Sequence, residues 1–151
     1  MLVRALGTAA LMTMCIGVAA CDEKLSDLTG PTPNLEPTFS TIQRDVFEAP
    51  DSSGRPACTN CHTDAGGRVP SAGLNLRSGA SYANLVGVAS RERPGVARVA
   101  PGDPENSYLI HKIEGRPGIV GMRMPFASAN FLTQGQILVI KRWIELGAQN
   151  N

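Results

Sequence analysis

An all-α domain, small and built of about four short helices with long loops, is the expected fold of these 151 residues. Three features point that way. Apolar residues recur at helical spacing in several short segments. No stretch alternates convincingly at period two. The 16 Gly and 11 Pro are too many for a tightly helical bundle, so the loops must be long. Aromatic residues are only 5% of the chain, and a core so poor in large side chains needs another staple: a disulfide, a metal or a cofactor.

The first helix lies between Phe39 and Phe47, where Phe39, Ile42, Val46 and Phe47 fall near helical spacing. Ser40 or Thr41 can cap it, and Pro50 ends it. Asp51 to Gly79 is irregular, and Ala80 to Val86 makes a short helix. Asp103-Pro104-Glu105 reads as a helix start, with Asp at the N-cap, Pro in the first helical position and an acid in the first turn. Tyr108, Leu109, Ile110 and Ile113 give that helix its apolar content. Thr133-x-x-Gln136 is a capping box. Ile137, Ile140 and Ile144 then mark one face, and Gly147 stands where a glycine stops a helix.

Ahead of this domain the chain reads as an export address. Arg4 supplies a positive start, and Ala5 to Ala20 carries no charge yet falls short of the roughly 20 residues that span a bilayer. Val18-Ala19-Ala20-Cys21 resembles the bacterial lipobox. That resemblance implies diacylglycerol on the Cys21 sulfur, with Cys21 as the first residue of a mature lipoprotein. Ordinary cleavage with Cys21 left free is the alternative. Cys15 does not fit, because Met14 precedes it where a small residue is wanted. Residues 1–20 are thus expected to be a lipoprotein signal peptide and 21–38 a lipidated, Pro-rich tether. The folded domain would be 39–151, anchored to a bacterial membrane and lying in the periplasm or at the cell surface. No internal repeat is evident.

Fourteen Lys and Arg against 13 Asp and Glu leave a formal charge of +1, which excludes an electrostatic nucleic-acid binder. Charge is nevertheless segregated. Residues 22–51 are acidic, and 52–101 are basic, most densely at Arg91, Arg93 and Arg98. Such a rim can steer an acidic partner. Equally, it can be a solvated loop in which one Arg serves a cofactor carboxylate.

The chemistry is concentrated in Cys58-Thr59-Asn60-Cys61-His62, the attachment signature of c-type haem. Thiols at i and i+3 on one helical turn reach both vinyl groups of one porphyrin edge, and the next residue projects its imidazole toward the iron. Cys58 and Cys61 would bind the cofactor covalently and His62 would be the proximal iron ligand. Other readings exist for Cys-x-x-Cys. A redox dithiol expects a strand before it and a helix after it, whereas Gly54-Arg55-Pro56 and Gly66-Gly67 flank this one. A zinc site needs two further ligands, and only His111 remains. A structural disulfide would leave His62 a coincidence.

A low-spin electron carrier needs a sixth ligand, and Met opposite His raises the potential. Met1, Met12 and Met14 leave with the signal, so Met122 and Met124 are the candidates in the domain. Met124 is preferred, because Pro125 stiffens its loop and biases its backbone toward an extended form. The alternatives are two core methionines filling a gap, which leaves iron five-coordinate, and His111, which would give bis-His ligation. A buried porphyrin would also give Leu74, Leu76, Leu85, Val86, Leu109, Ile113 and Phe126 a surface to pack against, and its propionates would call for an Arg or Tyr.

Several further stretches form an ordered series with the haem motif: Gly73-Leu74-x-Leu76, Tyr82-x-x-Leu85, Pro101-Gly102-Asp103-Pro104-Glu105-x-Ser107-Tyr108-Leu109, Met124-Pro125 and Trp143-Ile144-x-x-Gly147-Ala148. Over most of 39–148 the chain resembles class I-like c-type cytochrome domains of exported bacterial proteins. The resemblance implies an N-terminal helix crossing the C-terminal one, with the Met-Pro loop over the distal face. Here residues 50–57 intervene before Cys58, which leaves the docking of the first helix open. The expected function is a membrane-anchored monohaem electron carrier, a redox protein rather than an enzyme in the strict sense. It would act as a monomer between other redox proteins, its electron donor and acceptor. The rivals are a haem sensor or peroxidase-like enzyme with an open iron position, and a haem-free lipoprotein with a Cys58–Cys61 disulfide.

Overall fold

A computed structural model describes residues 35–51, 53–126 and 130–151. The signal peptide, Cys15, Cys21 and most of the tether lie outside the described residues. The all-α class holds. Among the described residues there is no strand, only isolated bridges pairing Val86 with Val99, Ala89 with Ala97 and Ala100 with Asp103. No helix there is long and apolar enough to cross a membrane.

Helix α1 spans Phe39–Ile42 and runs on into one wider turn, Gln43–Phe47, closed by a bond from Glu48 N to Gln43 O five residues back. Its cap is Thr38 rather than Ser40 or Thr41. Thr38 has the extended backbone (φ −112°, ψ 151°) that lets a side chain fold back over the first turn, and its Oγ1 accepts from Thr41 N. Leu35, in the stretch expected to be tether, is buried with the core. Gln43 is buried too, and donates from Nε2 to Leu76 O (2.9 Å) while accepting from Ser81 Oγ (2.5 Å). This links α1 to helix α2, Ser81–Leu85.

Helix α3 spans Tyr108–Glu114 and therefore starts later than Asp103. The Asp103 side chain closes a turn instead, accepting from Asn106 N (3.1 Å). The helix waits for Ser107 because the carbonyls of Ala97 and Arg98 take the amides of Tyr108 and Leu109, both at 2.9 Å. Those carbonyls satisfy donors that a first helical turn leaves orphaned. Helix α4, Gln134–Glu145, has both halves of the Thr133–Gln136 capping box. It stops before Gly147, whose φ of +94° only glycine adopts cheaply.

The core joins these pieces. Ile42, Val46, Leu85, Val99, Ile110, Ile137, Ile140 and Ile144 are buried, and Phe39 stacks near Trp143 of α4 at 5.4 Å and Tyr82 of α2 at 5.1 Å. The excursion between α1 and Cys58 is closed by Arg55, which is fully buried. Its guanidinium donates to the carbonyls of Val46 (3.2 Å), Ala49 (3.2 Å) and Pro56 (3.1 Å) and pairs with the buried carboxylate of Asp51 at 3.0 Å. Burial works against ionising Asp51, but hydrogen bonds from Ser53 and Arg55 outweigh it and hold the carboxyl below its ordinary range.

Removing one partner of a buried pair strands the other charge. Arg55→Leu should therefore lower the unfolding free energy by about 3 kcal/mol or more, read as the midpoint shift in denaturant. Because the folded Asp51 is the stronger acid, its contribution is complete above the unfolded carboxyl pKa of about 3.9 and disappears as pH falls through the lower folded value. Asp51→Asn should accordingly flatten the acid limb of the stability curve.

Candidate cofactor-binding cavity

Beside Val46 the chain makes a single 3-10 turn, Cys58–Asn60, and the amide of His62 closes back on Cys58 O at 3.0 Å. The thiol of Cys58 turns inward and donates to Val46 O (3.5 Å), the carbonyl that Arg55 also grips. Burial pushes this thiol's pKa up, and the positive charge of Arg55 offsets only part of the effect. Cys61 is exposed, and both thiols are free. The 3-10 turn is tighter than the α-helical turn assumed from the motif, because Asp51 to Ala57 must bend back to reach α1.

His62 is half-buried and faces a cavity of about 470 Å³. Its Nδ1 sits 3.0 Å from Ser71 O. A carbonyl can only accept, so the neutral ring carries its proton on Nδ1 and keeps the Nε2 lone pair for a ligand. Burial pulls the imidazole pKa down, and contacts with the main chain of Ser71 and Leu74, which favour the charged form, do not offset it. The ring is therefore held in its metal-binding form.

The same cavity is lined by Cys58, Cys61, His62 and Met124 together, brought from two regions some 60 residues apart in the chain. Of the seven apolar residues expected to pack on a buried ring, Leu74, Leu76, Leu85, Leu109, Ile113 and Phe126 line it. Val86 does not; its backbone pairs with Val99 and carries its side chain away. Met122 is 57% exposed, and His111 is outside the wall. The His111 Nε2 lies 2.6 Å from Glu105 O, and its buried Nδ1 has no hydrogen-bond partner. Among the described residues no three or more His, Cys, Asp or Glu side chains gather as a metal cage would require.

Three charged groups in the wall carry more weight than composition suggested. Arg98 is buried and donates to the carbonyls of Asn84 (2.8 Å), Ala72 (3.3 Å) and Gly73 (3.1 Å). Ala72 and Gly73 present those carbonyls by adopting positive φ, +53° and +62°. A Cβ on Gly73 would also meet the Arg91 guanidinium at 2.3 Å. No described ion pair gives Arg98 a carboxylate. Burial first, then the charge of Arg91, lowers its pKa, yet a guanidinium stays charged. It is a cation on the wall of the cavity. Glu92 and Lys112 also line the wall, paired at 3.1 Å. The sequence singled out Arg91, Arg93 and Arg98 only as a group, and neither Glu92 nor Lys112; nothing local distinguishes the arginine that turns inward.

No family model, no curated protein and no solved structure matches this chain.

The two thiols differ in access, and burial makes the Cys58 thiol harder to ionise. In the cofactor-free protein, iodoacetamide at pH 8 should label Cys61 at least about tenfold faster than Cys58, as measured by peptide mass spectrometry. Equal rates would mean that Cys58 is not held against Val46.

Proposed function

We propose that this protein is a monohaem c-type cytochrome that passes single electrons between redox partners, tethered outside the cytoplasm through a lipid on Cys21. The observation that carries the reading is one cavity lined at once by the two thiols, the imidazole and the thioether of the sequence signature. The donor set fits the group. Cys58 and Cys61 would bond the porphyrin edge, His62 Nε2 and the Met124 sulfur would bind iron, and Arg98 would meet a propionate.

Haem supplies one-electron chemistry when bound. The chain's own residues set the conditions. The proton on His62 Nδ1, held by Ser71 O, fixes the imidazole tautomer. Leu74, Leu76, Leu85, Leu109 and Ile113 line the cavity and would keep water from the bound group. A soft thioether and the nearby guanidinium both favour the reduced state, so the potential is expected to be raised. The exposed position of Cys61 puts the motif's outer edge at the surface, where electrons can enter and leave.

Protein made in a host that matures c-type cytochromes should be coloured and should keep haem-dependent peroxidase staining on a denaturing gel. A colourless product with a Cys58–Cys61 bridge would overturn the reading. Met124→Ala should abolish the far-red sulfur-to-iron band, whereas Met122→Ala should leave it intact. Arg98→Leu should lower the reduction potential by some tens of millivolts, the scale of one lost charge at partly screened distance, measured by redox titration.

A further inference from the structure

The segment that brings Met124 to the cavity has no helix or strand of its own, and what fixes it is α3. Lys112 is the main fastening. Its Nζ donates to Val120 O at 2.7 Å and pairs with Glu92, while its own carbonyl accepts from Met124 N at 2.9 Å. One residue thus grips the segment at both ends, by side chain at 120 and by main chain at 124. Tyr108 Oη accepts from Val120 N (3.0 Å), and Arg123 Nε donates to Ile113 O (2.8 Å). Between the two grips Met122 points to solvent, 57% exposed, while Met124 lines the cavity.

We propose that Lys112 is a positioning residue for the Met124 thioether, a role that rests on the haem reading above and adds to it. Lysine is among the residues least often buried, yet Lys112 is only 8% exposed and sits on the cavity wall. A leucine there would fill the space without the cost of desolvating an ammonium. What leucine lacks is a donor for Val120 O. The ammonium is kept neutralised by Glu92, which leaves one of its protons free for that carbonyl. With the segment fastened at 120 and 124, the thioether is presented before any ligand is bound, and little ordering is left for the moment of coordination.

The test compares loaded parent, Lys112→Leu and Lys112→Arg. It reads covalent haem staining, the far-red sulfur-to-iron band and the fraction of ferrous protein that takes up carbon monoxide. Lys112→Leu should stain like the parent but show a weakened band, with about a fivefold to tenfold larger carbon monoxide-reactive fraction, the factor one lost hydrogen bond supplies. Lys112→Arg, which can still reach Val120 O and Glu92, should return to within about twofold of the parent. Should Lys112→Leu fail to fold, the double variant Lys112→Leu/Glu92→Gln, which removes the stranded carboxylate as well, takes its place with the same expectation. A stained variant whose band and carbon monoxide uptake match the parent would show that Lys112 only fills the wall, and would overturn the assignment alone. A parent that does not stain would overturn the haem reading, and the assignment with it.

Discussion

A guanidinium removed from water needs nearly all of its donors met, and Arg55 meets that need with the Val46, Ala49 and Pro56 carbonyls and the Asp51 carboxylate. The geometry this imposes reaches well beyond one side chain. Residues 48–51 and 53–57 have no regular structure of their own, and Arg55 ties them back so that Cys58 lies beside α1. Val46 O then serves both Arg55 and the Cys58 thiol. The orientation of the Cys58–His62 segment toward the core, and with it the floor of the cavity, depends on this one closed loop.

The rest of the wall repeats that arrangement at larger separations. Arg98 has its backbone held between Val88 O and Leu109 N, and its side chain then bonds to carbonyls from two other segments. Lys112 does the same for the Met124 segment. In a domain so rich in Gly and Pro, long basic side chains replace the missing ladders. They satisfy main-chain carbonyls that no helix or strand pairs, and their charges are compensated by Asp51, by Glu92 or, for Arg98, by the proposed propionate. Arg98, which no described ion pair gives a carboxylate, fronts the apolar cavity and favours an anionic group on an apolar occupant.

The axial candidates separate by the same logic. His62 is half-buried with one nitrogen committed to Ser71 O and the other left for a ligand. His111 commits its Nε2 to Glu105 O on another face of α3 and does not share the cavity. Met122 and Met124, two residues apart, part company: Met122 is exposed and Met124 lines the cavity.

Much was legible in the chain before any coordinates. Periodicity and caps gave the all-α class, the α4 capping box and its glycine stop, since those signals are local and nothing distant competes with them. Cys58, Cys61, His62 and Met124 could be singled out by residue type and spacing, and all four line one cavity. Three local expectations gave way to contacts from elsewhere. Asp103 does not start α3, because Ala97 and Arg98 carbonyls satisfy the first amides further on. Thr38 displaces Ser40 and Thr41 as cap through its backbone angles. Val86 turns from the cavity because it pairs with Val99. Which arginine faces the cavity, which lysine holds the methionine, and how residues 48–57 close are questions of hydrogen-bond partners far away in sequence. Such partners are chosen when the chain packs, and no spacing along the chain encodes them.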